Sequence, residues 1–191
     1  MARWEPDAQS RLEDAALELF AARGYTQTTV EEIAVRAGLT ERTFFRYFAD
    51  KREVLFSGSK LLEARIVECI AQAPRGAQPL DVVAAAFEAA GALIEAIRDM
   101  ASVRVRYALV TSHAELKERE LIKLASLGDA TRAALRSRGV PEPAASVTAE
   151  AGIAVFKIGF ERWVTAKRPG HLVTHIRAAV AALRTVAAGP E

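Results

Sequence analysis

Between residues 36 and 52 the chain concentrates side chains that can touch phosphates and read base edges. Arg36, Arg42, Arg46, Lys51 and Arg52 stand there against only Glu41 and Asp50. Over residues 1–56 as a whole the balance reverses, with 8 Lys/Arg against 10 Asp/Glu. A basic island in an acidic surrounding is what contact with a phosphate backbone asks for. Hydroxyls and aromatic rings are interleaved with the cations: Thr40, Thr43, Phe45 and Tyr47, with Thr28 and Thr29 a little upstream. Arg42 has the length and the planar fork to bond guanine O6 and N7 together. A solvated basic helix would carry the same charges, so spacing has to decide between the two.

The spacing is that of two short helices joined by a tight turn. Thr29 and Glu32 stand three apart, the capping-box distance, and open the first helix. Ala34 is small enough for a close crossing, and Gly38 tolerates the left-handed backbone of a sharp turn. Leu39 follows as an apolar anchor, and Thr40 is a natural N-cap for the second helix. Phe44 and Phe48, four apart, share its inner face. Thr40, Glu41, Arg42, Thr43, Phe45, Arg46 and Tyr47 are left on outer or lateral faces. This is the grammar of a helix-turn-helix, which lays its second helix in the DNA major groove. Arg3 and Trp4, ahead of the first helix, are either a minor-groove arm or a frayed terminus.

Periodicity elsewhere is helical throughout, and strand alternation and hairpin turns are scarce. About nine helices are expected, over residues 7–23, 29–37, 40–48, 50–72, 79–99, 101–112, 114–138, 143–166 and 171–188. Asp50 and Glu53 have capping-box spacing at the head of the fourth. The fold class is all-α: a helix-turn-helix domain over 1–49 and an effector-binding and dimerisation domain over 50–191. With 191 residues, 51% of them hydrophobic, the chain can bury a substantial core. Its net charge of +2 says little about partners. The single cysteine, Cys69, precludes an internal disulfide and suits a reducing compartment. No apolar run reaches bilayer length and the N-terminus lacks a signal-type core, so a cytoplasmic protein without membrane contact is expected. His113, His171 and His175 form no metal set, and no nucleophile elbow, phosphate loop or dinucleotide fingerprint is present. An enzyme, a metal and a cofactor are therefore not expected.

The longer second part has two further expectations. Polar groups among apolar neighbours, at Arg104, Arg106, Tyr107, Thr111 and His113, suit a pocket for a small molecule. The candidate lining is Phe87, Ile94, Met100, Arg104, Tyr107, Thr111 and Trp163. Read more plainly, the two arginines pair with acids such as Glu115 or Glu118, or snorkel, and His113 caps a helix or sits at a helix junction. The eighth helix is apolar on more than one face and the ninth has a long stripe bordered by alanines, which suits burial against the chain's own core and a second copy. Val147, Ala151, Val155, Ile176, Val180 and Leu183 are the candidates for an isologous four-helix interface.

The segment resembles the DNA-binding domain of the TetR family of bacterial transcriptional regulators. The likeness rests on Gly24-Tyr25, Thr28-Thr29-Val30-Glu31-Glu32-Ile33-Ala34, Ala37-Gly38-Leu39-Thr40, Thr43-Phe44-Phe45-Arg46-Tyr47-Phe48 and Lys51. It implies a homodimer on a palindromic operator in double-stranded DNA, with repression relieved by a small-molecule effector. It also implies base or phosphate contacts from Thr40, Arg42 and Thr43 and a phosphate contact from Lys51. Phe45 departs from it: the family commonly has tyrosine there, and a phenyl ring cannot donate the hydroxyl's bond to phosphate. Arg46 and Tyr47 are the replacements at hand. The expected mechanism is an effector among the fourth to seventh helices that moves the fourth and changes the separation of the two recognition helices. An alternative is a helical protein-interaction adaptor with a vestigial helix-turn-helix, which would give no sequence-specific gel shift.

Overall fold

The computed structural model describes residues 8–189, and all regular structure among them is helical. The helices are α1 (Ala8–Arg23), α2 (Val30–Arg36), α3 (Glu41–Tyr47), α4 (Ser59–Gln72), α5 (Pro79–Ile97), α6 (Met100–Ser112), α7 (Ala114–Ser137), α8 (Ala144–Thr165) and α9 (Leu172–Ala188), with a 3₁₀ turn at Glu53–Phe56. The all-α class and the order of elements are as expected. Arg3, Trp4 and the expected helix start at residue 7 lie outside the described residues.

One element is corrected. The expected continuous helix over 50–72 is a capped 3₁₀ turn, then α4 from Ser59. Asp50 does cap: its Oδ1 accepts from the backbone N–H of Arg52 at 2.8 Å and of Glu53 at 3.2 Å. The Glu53 carboxylate accepts from Arg119 Nε, so it belongs to a distant ion pair. A capping box needs that side chain to reach back.

The described residues pack as two compact units, the first running to Ser57 and including Val105–Glu120, the second holding Gly58–Arg104 and the chain from Leu121 onward. In the first, α1 buries Leu12, Ala16 and Phe20 at four-residue spacing against Ile33, Phe44 and Phe48. Tyr25 turns into this core, its ring 5.3 Å from Phe20 and edge-on to His113 at 5.2 Å. The 3₁₀ turn adds Val54, Leu55 and Phe56, and the end of α6 and start of α7 add Leu109, Val110 and Leu116. Arg106 fastens that corner: Nε donates to Leu55 O at 2.7 Å, Nη2 to Glu120 at 3.3 Å, and the guanidinium lies 5.1 Å over the Phe56 ring. Arg106 thus pairs with an acid of the same stretch, Glu120, two residues beyond Glu118.

In the second unit α5 is central, with Val83, Phe87, Ala90 and Ile94 buried. Gly152 of α8 admits α5 closely: a Cβ there would lie 2.5 Å from Val83 Cγ1 and 2.6 Å from Phe87 Cε2. Arg177 of α9 pairs with Glu88 of α5 at 2.8 Å, and Arg138 closes the end of α4 by donating to Ala73 O and Pro74 O.

The expected interface stripe is corrected here. Val155, Ile176 and Val180 are buried inside the single chain, Ala151 and Leu183 are half-buried, and Val147 is exposed. A four-residue step overshoots a helical turn by about 40°, so by Val155 the stripe has rotated about 80° from Val147, into the core. Ile158, about 20° from Val147 by the same count, remains outside and is 50% exposed. The α8 face that stays open carries Val147, Ala151, Ala154 and Ile158, and that of α9 carries Ala178, Ala181, Ala182 and Val186.

Candidate nucleic-acid interface

The two helices of the motif are locked by local bonds before any partner arrives. Thr29 caps α2 and both legs of the capping box are present. The Thr29 backbone N–H, donating to the Glu32 carboxylate at 2.9 Å, holds that carboxyl below its ordinary range. Gly38 has φ +66°, and the turn closes with Leu39 N donating to Ala34 O at 2.8 Å. Arg11 of α1 donates Nη2 to Ala37 O at the end of α2. Thr40 caps α3, accepting from Thr43 N at 3.2 Å, and the two threonine hydroxyls lie 3.0 Å apart. Phe44 is fully buried and Phe48 nearly so, which fixes the inner face of α3.

The outer face then follows. Thr40, Glu41, Arg42, Phe45, Arg46 and Tyr47 are exposed and Thr43 is half-buried. Phe45 is 55% exposed, its ring edge-on to that of Phe44 at 5.5 Å. Arg46 lies over the Tyr47 ring at 4.9 Å and donates Nη2 to the Tyr47 hydroxyl at 3.1 Å. Arg42 makes no hydrogen bond or ion pair among the described residues.

The other cations of the basic segment are engaged. Arg36 pairs with Glu18 at 2.6 Å, and Arg52 with Asp50 at 2.6 Å. Lys51 Nζ donates to the carbonyls of Tyr25 (2.9 Å), Thr28 (3.0 Å) and Thr26 (3.3 Å), and lies 4.4 Å over the Tyr25 ring. Burial pushes the Asp50 carboxyl up, but the Arg52 guanidinium and the backbone N–H groups of Glu53 and Arg52 outweigh it and hold the group below its ordinary range. Burial, with the Glu115 charge, drives the Tyr25 phenol up to about 12. Thr28 is corrected: it is 1% exposed, with its hydroxyl donating to Gly24 O, so it shapes the turn and presents nothing outward. Thr29 is exposed, though its hydroxyl is engaged in the cap. Arg11 carries no signal in the sequence, since the carbonyl it closes is 26 residues away.

The seven candidate lining residues divide between the units, with Tyr107 and Thr111 in the first and the rest in the second. Phe87, Ile94 and Trp163 are core residues, and Trp163 Nε1 donates to Gly170 O. Arg104, expected to pair with an acid, closes the end of α8, donating to Val164 O at 3.1 Å and Ala166 O at 2.6 Å. The Thr111 hydroxyl donates to Tyr107 O within α6, and Met100, the first residue of α6, is half-buried. Elsewhere in the second unit, Ala92, Glu95, His171 and Arg177 line an open groove of about 520 Å³ between α5 and α9.

Known proteins resemble the N-terminal segment in sequence and the chain as a whole in fold. Residues 12–57 match the family described as bacterial regulatory proteins, tetR family. The HTH-type transcriptional regulator TcmR of Streptomyces glaucescens is 42% identical over 74 residues, which are 39% of this chain and 33% of TcmR. The matched segment thus spans about a third of that relative. Likeness in fold extends further. A TetR-family regulator structure from Syntrophomonas wolfei superposes with a TM-score of 0.66 at 16% identity, over 97% of each chain. FadR of Bacillus subtilis, solved with stearoyl-CoA, gives 0.62 at 20% identity over 91% of this chain and 96% of its own. Over residues 12–57 the chain is thus similar to the tetR family of bacterial regulatory proteins, and along nearly its whole length it takes the fold seen in solved TetR-family regulators.

Proposed function

We propose that the protein is a non-enzymatic, sequence-specific transcriptional regulator of the cytoplasm, a homodimeric repressor released from a palindromic operator by a small molecule. The observation that carries this reading is the outer face of α3. Arg42 stands there without a partner among the described residues, beside Phe45 and the Arg46–Tyr47 pair, on a helix whose inner face is fixed by Phe44 and Phe48. A guanidinium left free on the second helix of a helix-turn-helix is placed for guanine in the major groove. Arg46, held to the Tyr47 hydroxyl, supplies phosphate contact where Phe45 has no hydroxyl. Thr40 and Thr43 bring hydroxyls to the same end, and Lys51 adds charge while its three N–H groups serve the fold.

The homodimer is assigned to the open faces of α8 and α9, where Ile158, Ala178, Ala182 and Val186 join Val147 and Ala151 in place of the buried Val155, Ile176 and Val180. Val147 and Val186 are 67% and 80% exposed, and a face of alanines between them permits close helix packing. Release by an effector is supported by the fold, which FadR shares while holding stearoyl-CoA. The chain crosses between its compact units at 57/58, 104/105 and 120/121, so a shift in α4, α6 or α7 has a covalent route to α3.

Selection of binding sites from random duplexes with the full chain tests the reading. The expected outcome is a palindrome with half-sites roughly 34–36 Å apart or a multiple of it, and a ligand screen against that duplex then identifies releasing molecules. Failure to enrich any sequence would favour the adaptor reading instead.

A further inference from the structure

We infer that Phe45 reads a thymine methyl group, so that α3 recognises a guanine through Arg42 and, within a base pair or two, a thymine through Phe45. The inference rests on the DNA-binding reading above and assigns a specificity role to a side chain that reading leaves without one.

Among the described residues of the first compact unit, the large hydrophobics left exposed are Val35, Phe45 and Tyr47, all on the helix-turn-helix. Tyr47 has a polar tip, engaged with Arg46. Phe45 has none, so at more than half exposure its only chemistry is apolar contact. Its ring is not a loose surface group either: it stands nearly perpendicular, at 83°, on the fully buried ring of Phe44. That seat holds a flat apolar surface outward at low entropic cost.

The major groove offers one apolar feature on its base edges, the C5-methyl of thymine. Phosphates and the donor and acceptor atoms of the other bases give a phenyl ring nothing to bond. Arg42 lies three positions before Phe45, and residues three apart on a helix are neighbours about 5–6 Å apart at Cβ. Successive bases on a strand are about 3.4 Å apart. The two side chains therefore address adjacent or next-adjacent base pairs of one half-site.

The test uses the full chain, the duplex selected from random DNA, and a series in which each thymine is replaced in turn by deoxyuridine, which removes only the methyl. The wild type should lose about fourfold in affinity at one thymine per half-site, the value of covering one methyl group. Phe45→Ala should bind the thymine and uracil duplexes equally, and Phe45→Leu should retain part of the discrimination. Unchanged far-ultraviolet circular dichroism and melting temperature show that the variants are folded. A wild type indifferent to uracil at every thymine, or a selected half-site without thymine near the guanine, overturns the inference and leaves the DNA-binding reading standing. Absence of any selected sequence overturns both.

Discussion

Lys51 shows at the scale of one residue how a position and a role can separate. The resemblance to TetR-type chains assigns it a phosphate, whereas the structure directs its ammonium at the carbonyls of Tyr25, Thr26 and Thr28. Lys51→Met should therefore destabilise the first unit by about 1–3 kcal/mol, the cost of leaving partly buried acceptors without their charged donor. Urea unfolding of the two proteins measures it, and an unchanged midpoint would mean that water replaces the ammonium without loss. Residue-level legibility follows the range of the interaction. Thr29 with Glu32, and Thr40 with Thr43, act over three residues and could be read directly. Arg11 on Ala37, Arg104 on Val164 and Lys51 on Tyr25 act across 26 to 60 residues, where no local pattern announces the partner. Thr28 departs from its expected outward position for a related reason: its hydroxyl bonds back to Gly24 and the turn carries it inward.

At the scale of elements, caps and close crossings decide where helices stop and how near they lie. Asp50 caps the 3₁₀ turn with its carboxyl held low, so its contribution is present above the ordinary aspartate range of about 3.9 and is lost as pH falls through the lowered value. Asp50→Ala should cost about 1 kcal/mol near pH 7, and the gap from wild type should narrow below about pH 4. Chemical denaturation at a series of pH values checks both parts. Gly152 sets the approach of α8 to α5, and a methyl there would meet Val83 and Phe87. Gly152→Ala should destabilise by about 1–3 kcal/mol through overpacking, visible as a lower melting temperature without loss of helix content. Helix existence was legible from periodicity, but the break before α4 was not, because Ser57 and Gly58 interrupt a pattern that remains apolar on both sides. The rotation of α8 was lost in the same way: with apolar residues around much of the helix, a sequence stripe does not say which sector faces inward.

At the scale of the whole molecule, the first unit recruits residues 105–120 from the middle of the chain. Nothing local in the sequence marks that recruitment, since Arg106 reaches Leu55 and Arg119 reaches Glu53 across 51 and 66 residues. It places part of α6 and α7 in the same unit as α3, so the regulatory coupling proposed above has packing contacts as well as chain connections within that unit. The proposed dimer belongs to this scale too. Ile158→Glu puts a charge on the open face of α8 at a half-exposed site, which the single chain tolerates. Sedimentation at micromolar concentration should give a dimer for the wild type and a monomer for the variant, and the monomer should bind the selected duplex more weakly. A dimeric variant would move the interface elsewhere.

The most direct measurement is the binding of wild type and Arg42→Ala to the selected operator and to each single-base change of its half-site. The wild type should discriminate at one guanine by about 1–3 kcal/mol, the value of a bidentate arginine contact. Arg42→Ala should be indifferent at that base while keeping its preferences at the others. A variant with the same preference as wild type at every position would contradict the assignment of α3 as the helix that reads DNA through Arg42.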